Sequence, residues 1–337
     1  MSHYIKTISS IGLLILFSFS VVADELQDRQ NIEDQAINLF KTGNFLKLNL
    51  LAQDYLVTEK RTSSGLWKLT LFHTGISQIT NQKNTDEHYW ATLEDKALSW
   101  VESQPEFPAG YLAYADFLIG HAWMYRGDEW AREVKKESWK PFYEHIEKAK
   151  EYLLKSKPIS STDPRWYELM IIIARAEGWS SEQFNSLLEE GLMRFPFFYQ
   201  IYFAAIDYLL PKWHGSKFEI EKFAKEAINI TKTKEKTGLY ARVYWYTSQS
   251  NYGTKLFTDS AVQWEKMSAA IDDVLEVYPD QWNINNFAYF SCLASDAKKT
   301  NTLINMIRGN ALIQVWGNGT YYSRCKAWAG KNYQYSK

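Results

Sequence analysis

The chain has 337 residues, is 46% hydrophobic and carries a formal charge of −1. That apolar share excludes a disordered composition, and the near-zero charge argues against general nucleic-acid binding, which needs a basic face. A single core stops growing at roughly 250–300 residues, so this length predicts two lobes or an elongated stack of helices.

The first 23 residues read as an export signal. Lys6 gives a positive start, Ile11 to Val22 form a short apolar run, and Val21 and Ala23 place small residues before Asp24. About 20 apolar residues are needed to span a bilayer, and this run is shorter. No cysteine follows it to carry a lipid anchor, so residues 24–337 are expected as one free, exported, all-helical domain.

Downstream, apolar residues recur at three- and four-residue intervals. Ile32, Ala36, Leu39 and Phe40 form one stripe, ended by Gly43; Leu48, Leu51, Ala52 and Tyr55 form the next. Gly65 to Leu69 opens a third helix, and Trp90, Leu93, Ala97, Leu98 and Trp100 mark a fourth. Asp163-Pro164 places a capping side chain before a proline at the first helical position. Ser180 to Gln183 and Ser216 to Glu219 both read as capping boxes, and Gly127, Gly178 and Gly253 as helix stops.

A loose helix-pair repeat runs through Trp100…Pro105…Tyr111…Ala115, Phe195-Pro196…Tyr202…Ala205 and Tyr278-Pro279…Trp282…Ala288. Tyr240 to Tyr244 matches without the proline. The later units begin about 40 residues apart, in the range of helical hairpins. The expected fold is therefore all-α, a tetratricopeptide-like solenoid or α-α superhelix.

Aromatic residues make up 16% of the chain, which suits gaps between crossing helices; an aromatic-lined groove is the alternative. Cys292 and Cys325 are the only cysteines. In an oxidising compartment they can bridge, stabilising by about 3–4 kcal/mol for a loop of that length; a buried free thiol at Cys292 is the other reading. No histidine lies near them, so they are not expected to hold a metal.

Candidate chemistry is sparse. His121, Arg126 and Asp128 cluster around a glycine stop, either as a convergent polar site or as a helix end whose cation meets exposed carbonyls. In Leu209 to Ser216, proline halts a helix, Trp213 serves as a packing plug, Gly215 permits an unusual backbone angle and His214 is a further weak catalytic candidate. His73, His88 and His145 are dispersed. No metalloprotease, nucleophile-elbow, phosphate-loop or calcium-loop motif is present, so no cofactor and no metal are expected.

Several segments, taken in order, resemble a known family: Gly65 to Phe72, Trp123 to Gly127, Asp163 to Tyr167, Leu209 to Trp213, Leu239 to Tyr244, Tyr278-Pro279, Val315-Trp316 and Cys325 to Trp328. Together they are similar to a bacterial domain of unknown function, number 4034, over about residues 37–328. His214 departs from that pattern, which calls for a small or aromatic residue. The resemblance implies a bacterial, tetratricopeptide-like helical protein of the periplasm and supplies no activity. The function expected is a non-enzymatic periplasmic or secreted scaffold binding a protein or peptide partner, without nucleic acid or membrane anchor; the alternative is a cell-envelope enzyme acting on glycan or peptide.

Overall fold

The computed structural model describes residues 25–334, apart from 128, 130, 214 and 318. The signal reading of residues 1–23, its cleavage point at Ala23 and Asp24, and the side chains of Asp128 and His214 lie outside the described residues.

The described chain is all-helical. Its first third holds α1 (Glu25–Lys41), α2 (Phe45–Thr58), α3 (Lys68–Ser77), α4 (Glu87–Ser103) and α5 (Pro108–Arg126). The middle holds α6 (Lys136–Lys155), α7 (Lys157–Ser160), α8 (Arg165–Glu177), α9 (Ser181–Arg194), α10 (Tyr199–Leu209), α11 (Lys217–Glu235) and α12 (Gly238–Thr247). A π turn (Ser248–Tyr252) and a 3₁₀ turn (Gly253–Lys255) lead to α13 (Leu256–Asp259). The chain then runs through α14 (Trp264–Val277), α15 (Gln281–Leu293), α16 (Ala297–Met306), α17 (Ile313–Trp316) and α18 (Thr320–Gln334). No described helix is long and apolar enough to cross a membrane.

The starts and stops follow local chemistry. Ser180 and Gln183 form a reciprocal capping box, whereas at Ser216 the hydroxyl caps the Glu219 amide. Pro164 sits one position before the helix rather than in it: α8 begins at Arg165, whose amide is held by Asp163 Oδ1 at 2.8 Å. Asp163 also accepts from His73 Nε2 at 3.0 Å, so one buried carboxylate fixes both the turn and the seat of α3. Gly215 does not take a left-handed angle; a Cβ there would lie 2.2 Å from the Leu209 carbonyl oxygen, so close backbone approach is what excludes a side chain.

Successive helices pack on one another in a consistent order. α3 meets α5, α5 meets α8, α8 meets α10 and α10 meets α12, while α4, α6, α9, α11 and α14 each pack against members of that row. One hydrophobic cluster reaches from Ile32 in α1 to Cys325 in α18. Large rings fill it, and their polar edges are satisfied as burial demands: Trp100 Nε1 donates to Asn49 Oδ1 at 3.0 Å and Trp166 Nε1 to the Leu153 carbonyl at 3.0 Å. Two proline-aromatic units share a further contact, with Tyr111 Oη donating to the Pro105 carbonyl at 2.9 Å and Tyr202 Oη to the Pro196 carbonyl at 2.8 Å.

The turn at residues 62–65 ties the first helices to the last. Glu25, only 2% exposed, accepts from Arg29 Nε at 2.6 Å, Thr62 Oγ1 at 2.8 Å and the Ser64 amide at 3.0 Å. The Ser64 carbonyl in turn accepts from Arg242 Nη2 and Asn283 Nδ2, both at 3.0 Å. Gly65 has φ +92°, and a Cβ there would meet Arg242 Nη2 at 2.7 Å and the Tyr278 ring at 2.8 Å, so both angle and space require glycine. At the other end of the chain, Cys292 in α15 and Cys325 in α18 are joined by a disulfide, with Cα atoms 5.9 Å apart.

Two predictions follow from these ties. Denatured, unreduced protein should contain no reactive thiol in a thiol-titration assay; two would show that the bridge does not form. Burial alone raises the Glu25 carboxyl, but the Arg29 charge and the Ser64 hydrogen bonds outweigh it and hold the group below its ordinary 4.5. A lowered folded value stabilises above the unfolded value and is lost as pH falls through it. Glu25→Gln should therefore cost about 3 kcal/mol at neutral pH by denaturant titration, and the gap to wild type should narrow below pH 4.5.

Candidate functional site

α1, α10, α12 and α15, with the segment before α3 and the turn after α12, line a cleft of about 280 Å³. Arg29, Ser64 and Leu66 line it from the first helices and the 62–65 turn. Tyr199, Gln200 and Phe203 come from α10, Arg242, Trp245, Tyr246 and Gln249 from α12 and the turn after it, and Trp282 and Asn283 from α15. Arg29 lies over the Trp282 ring at 5.3 Å, and Arg242 over Tyr199 at 4.9 Å. Both cations are already balanced: Arg29 by Glu25 at 2.6 Å, Arg242 by Glu235 at 3.8 Å. The cleft thus presents flat aromatic faces and side-chain amides rather than free charge.

Beyond the cleft the same composition continues. Tyr246 stacks on Phe203 with centroids 4.6 Å apart and donates to Asp207 Oδ2 at 2.9 Å. Asp207 pairs with Arg175 at 2.9 Å, and Arg175 lies over Trp213 at 5.3 Å and Trp123 at 5.8 Å. Arg126 sits at the end of this row, over Trp123 at 5.1 Å, Trp139 at 5.7 Å and Trp213 at 5.8 Å. Its guanidinium also donates to the carbonyls of Gly127 and Glu129 at 2.8 and 3.0 Å. Most of these rings are half-buried. Burial and the Asp207 charge push the Tyr246 hydroxyl well above its ordinary range, so it stays a donor.

His121 and Arg126 share α5 but turn toward different neighbours. His121 is buried against α4 and α6: Nδ1 bonds Glu94 Oε1 at 2.9 Å, and Trp90 and Tyr125 stack on its ring at 4.8 and 5.2 Å. Arg126 is held by aromatic faces and its own C-terminal turn. His145, read from sequence as dispersed, lies beside His121 with ring centroids 4.2 Å apart. Its separation of 24 positions from His121 fits no ligand motif, so only packing of α5 on α6 reveals the pair. Burial holds the His145 imidazole below its ordinary value. Glu94 is lowered despite burial, through its bonds to His121 and Lys148.

Trp213 was expected as a buried plug; the structure leaves it half-buried as one wall of the arginine cage. Cys292 and Cys325 pair far from either feature in sequence and hold α15 to α18.

No family model, curated protein or solved structure matches the chain. The resemblance to domain of unknown function 4034 rests on the sequence motifs alone.

Because Trp213 is half-buried and lies against the guanidinium groups of Arg126 and Arg175, Trp213→Ala should cost about 2 kcal/mol in denaturant unfolding. A fully buried tryptophan would lose about 3–5 kcal/mol, and a loss of that size would contradict the cage geometry.

Proposed function

We propose that the protein is a non-enzymatic helical scaffold that binds a protein or peptide partner along the row from Trp282 to Arg126. The observation that carries this reading is the succession of half-buried aromatic rings interleaved with arginines on the packed helix row. Half-exposed rings supply contact area at little entropic loss, as aromatic anchors at interfaces do. Gln200, Gln249 and Asn283 add side-chain amides that match peptide N–H and C=O groups.

In this reading the helices form stacked tetratricopeptide-like pairs. The shared Tyr-to-Pro carbonyl bonds at Tyr111 and Tyr202 support it, because repeated units bury their seams by the same device. The protein belongs in the bacterial periplasm or outside the cell, carried there by the N-terminal signal, in keeping with the uncharacterised family that its motifs resemble. The disulfide supports an oxidising compartment.

The enzyme alternative gathers less support. His121 and Arg126 have separate surroundings: His121 bonds Glu94, while Arg126 lies over the rings of Trp123 and Trp139 and donates to the Gly127 carbonyl.

Selection of a displayed random peptide library on the folded chain tests the proposal. Peptides should enrich, and titration calorimetry should show at least tenfold weaker binding to a Trp245→Ala, Trp282→Ala variant, a loss of about 1.4 kcal/mol or more, with its thermal midpoint within a few degrees of wild type. Absence of enrichment, or equal binding to the variant, would sink it.

A further inference from the structure

The junction of α4, α5 and α6 brings together groups that the binding row does not use. One donor atom from each of Glu94, His121 and His145 lies within 4.8 Å of the other two. We propose that these three residues bind a divalent transition-metal ion of the zinc class.

The geometry prepares the imidazoles for this. The Pro141 carbonyl can only accept, so His145 Nδ1, at 2.8 Å from it, carries the proton and Nε2 presents a lone pair. His121 is 4% exposed, and its ring is clamped in a stack with Trp90 and Tyr125. Its Nδ1 faces Glu94, while its Nε2 is buried with no hydrogen-bond partner and has Glu87 Oε2 3.2 Å away. A carboxylate beside each nitrogen lets either one hold the ring proton while the other meets an ion, the arrangement that orients metal-bound histidines.

A purely structural role leaves the second imidazole unexplained. Lys148 Nζ at 3.0 Å and His121 Nδ1 at 2.9 Å already satisfy the Glu94 carboxylate. His145 adds a second nitrogen base next to a buried one that lacks a partner. Two nitrogens and one carboxylate oxygen suit zinc-like ions; calcium and magnesium take oxygen shells. Small side-chain rotations bring such donors to the roughly 2.0–2.2 Å bonds that zinc forms. Three protein ligands leave a fourth position for water or an incoming donor, and Glu87, whose side chain is 62% exposed, marks a solvent side of the cluster.

The test uses the full chain stripped with a chelator. Zn²⁺ is titrated in competition with a chromophoric chelator, and Co²⁺ is added while visible absorption is followed. Expected are one ion per chain and a cobalt spectrum of a low-coordinate site. His145→Ala, at a half-buried position, should weaken binding by at least about 100-fold, since even outer partners of a metal site are worth 10–100-fold. Lys148→Met removes the ammonium that competes for Glu94 and should tighten binding, a change that a merely structural cluster would not produce. If circular dichroism shows His145→Ala unfolded, Glu94→Gln is read in its place and should show a comparable loss. No saturable binding by the stripped chain, wild-type affinity in the ligand variant, or weaker binding in Lys148→Met would overturn the proposal.

Discussion

The carbonyl and amide of Ser64 are the constraint on which the arrangement of the helices depends. Helices that pack mainly on near neighbours in the chain have no intrinsic reason to bring distant segments together. Ser64 supplies that reason by offering one backbone unit to three distant elements: its amide to Glu25 in α1, its carbonyl to Arg242 in α12 and to Asn283 in α15. A buried peptide group must find partners or destabilise the fold. Here the partners are 39, 178 and 219 residues away in sequence, so satisfying these two neighbouring backbone groups closes long loops of the chain. The same turn places Ser64, Leu66 and Arg29 on the wall of the cleft. The wall of the cleft is therefore assembled only when α1, α12 and α15 meet at this turn.

Charge balance explains why that face is aromatic. Arg29, Arg175 and Arg242 each have a carboxylate within 4 Å, and each also lies over at least one ring. A guanidinium can give its edge to a carboxylate and its face to an aromatic plane at the same time. Pairing removes most of the net charge from the row while leaving the rings fixed.

The all-helical class was legible because periodicity is a local property. The Ile32–Phe40 stripe, the Ser180 capping box and the Gly127 and Gly178 stops all act within one or two helical turns, and each stands where its residues imply. Features that depend on contacts between elements were not legible. Gly215 looked like a residue chosen for its angle, yet what fixes it is the Leu209 backbone six positions earlier, met only once the turn is folded. Trp213 reads as a plug from its place in a tight inter-helix turn, and the two guanidinium groups that share its surroundings come from α5 and α8. His145 was passed over because a pair of histidines 24 apart carries no spacing signal until α5 packs on α6. Glu25 gave no hint of its burial, since an acid in the first turn of a helix reads as solvated.

Helix α5 joins the two chemical features and sets their relation. His121 and Arg126 are five residues apart, which turns them about 140° from each other around the axis at 3.6 residues per turn. They face different neighbours for that reason: one the α4 carboxylates and His145, the other the tryptophan cage. α5 is apolar on nearly all sides, with Leu112, Phe117, Leu118, Ile119 and Ala122 buried around it, and a helix enclosed in this way belongs to the core rather than to the surface. Its rotation is locked by packing against α3, α4, α6 and α8 at once. α6 is engaged twice as well, giving Trp139 to the cage and His145 to the histidine pair. Any force that turns either helix must therefore disturb the tryptophan cage and the histidine pair together.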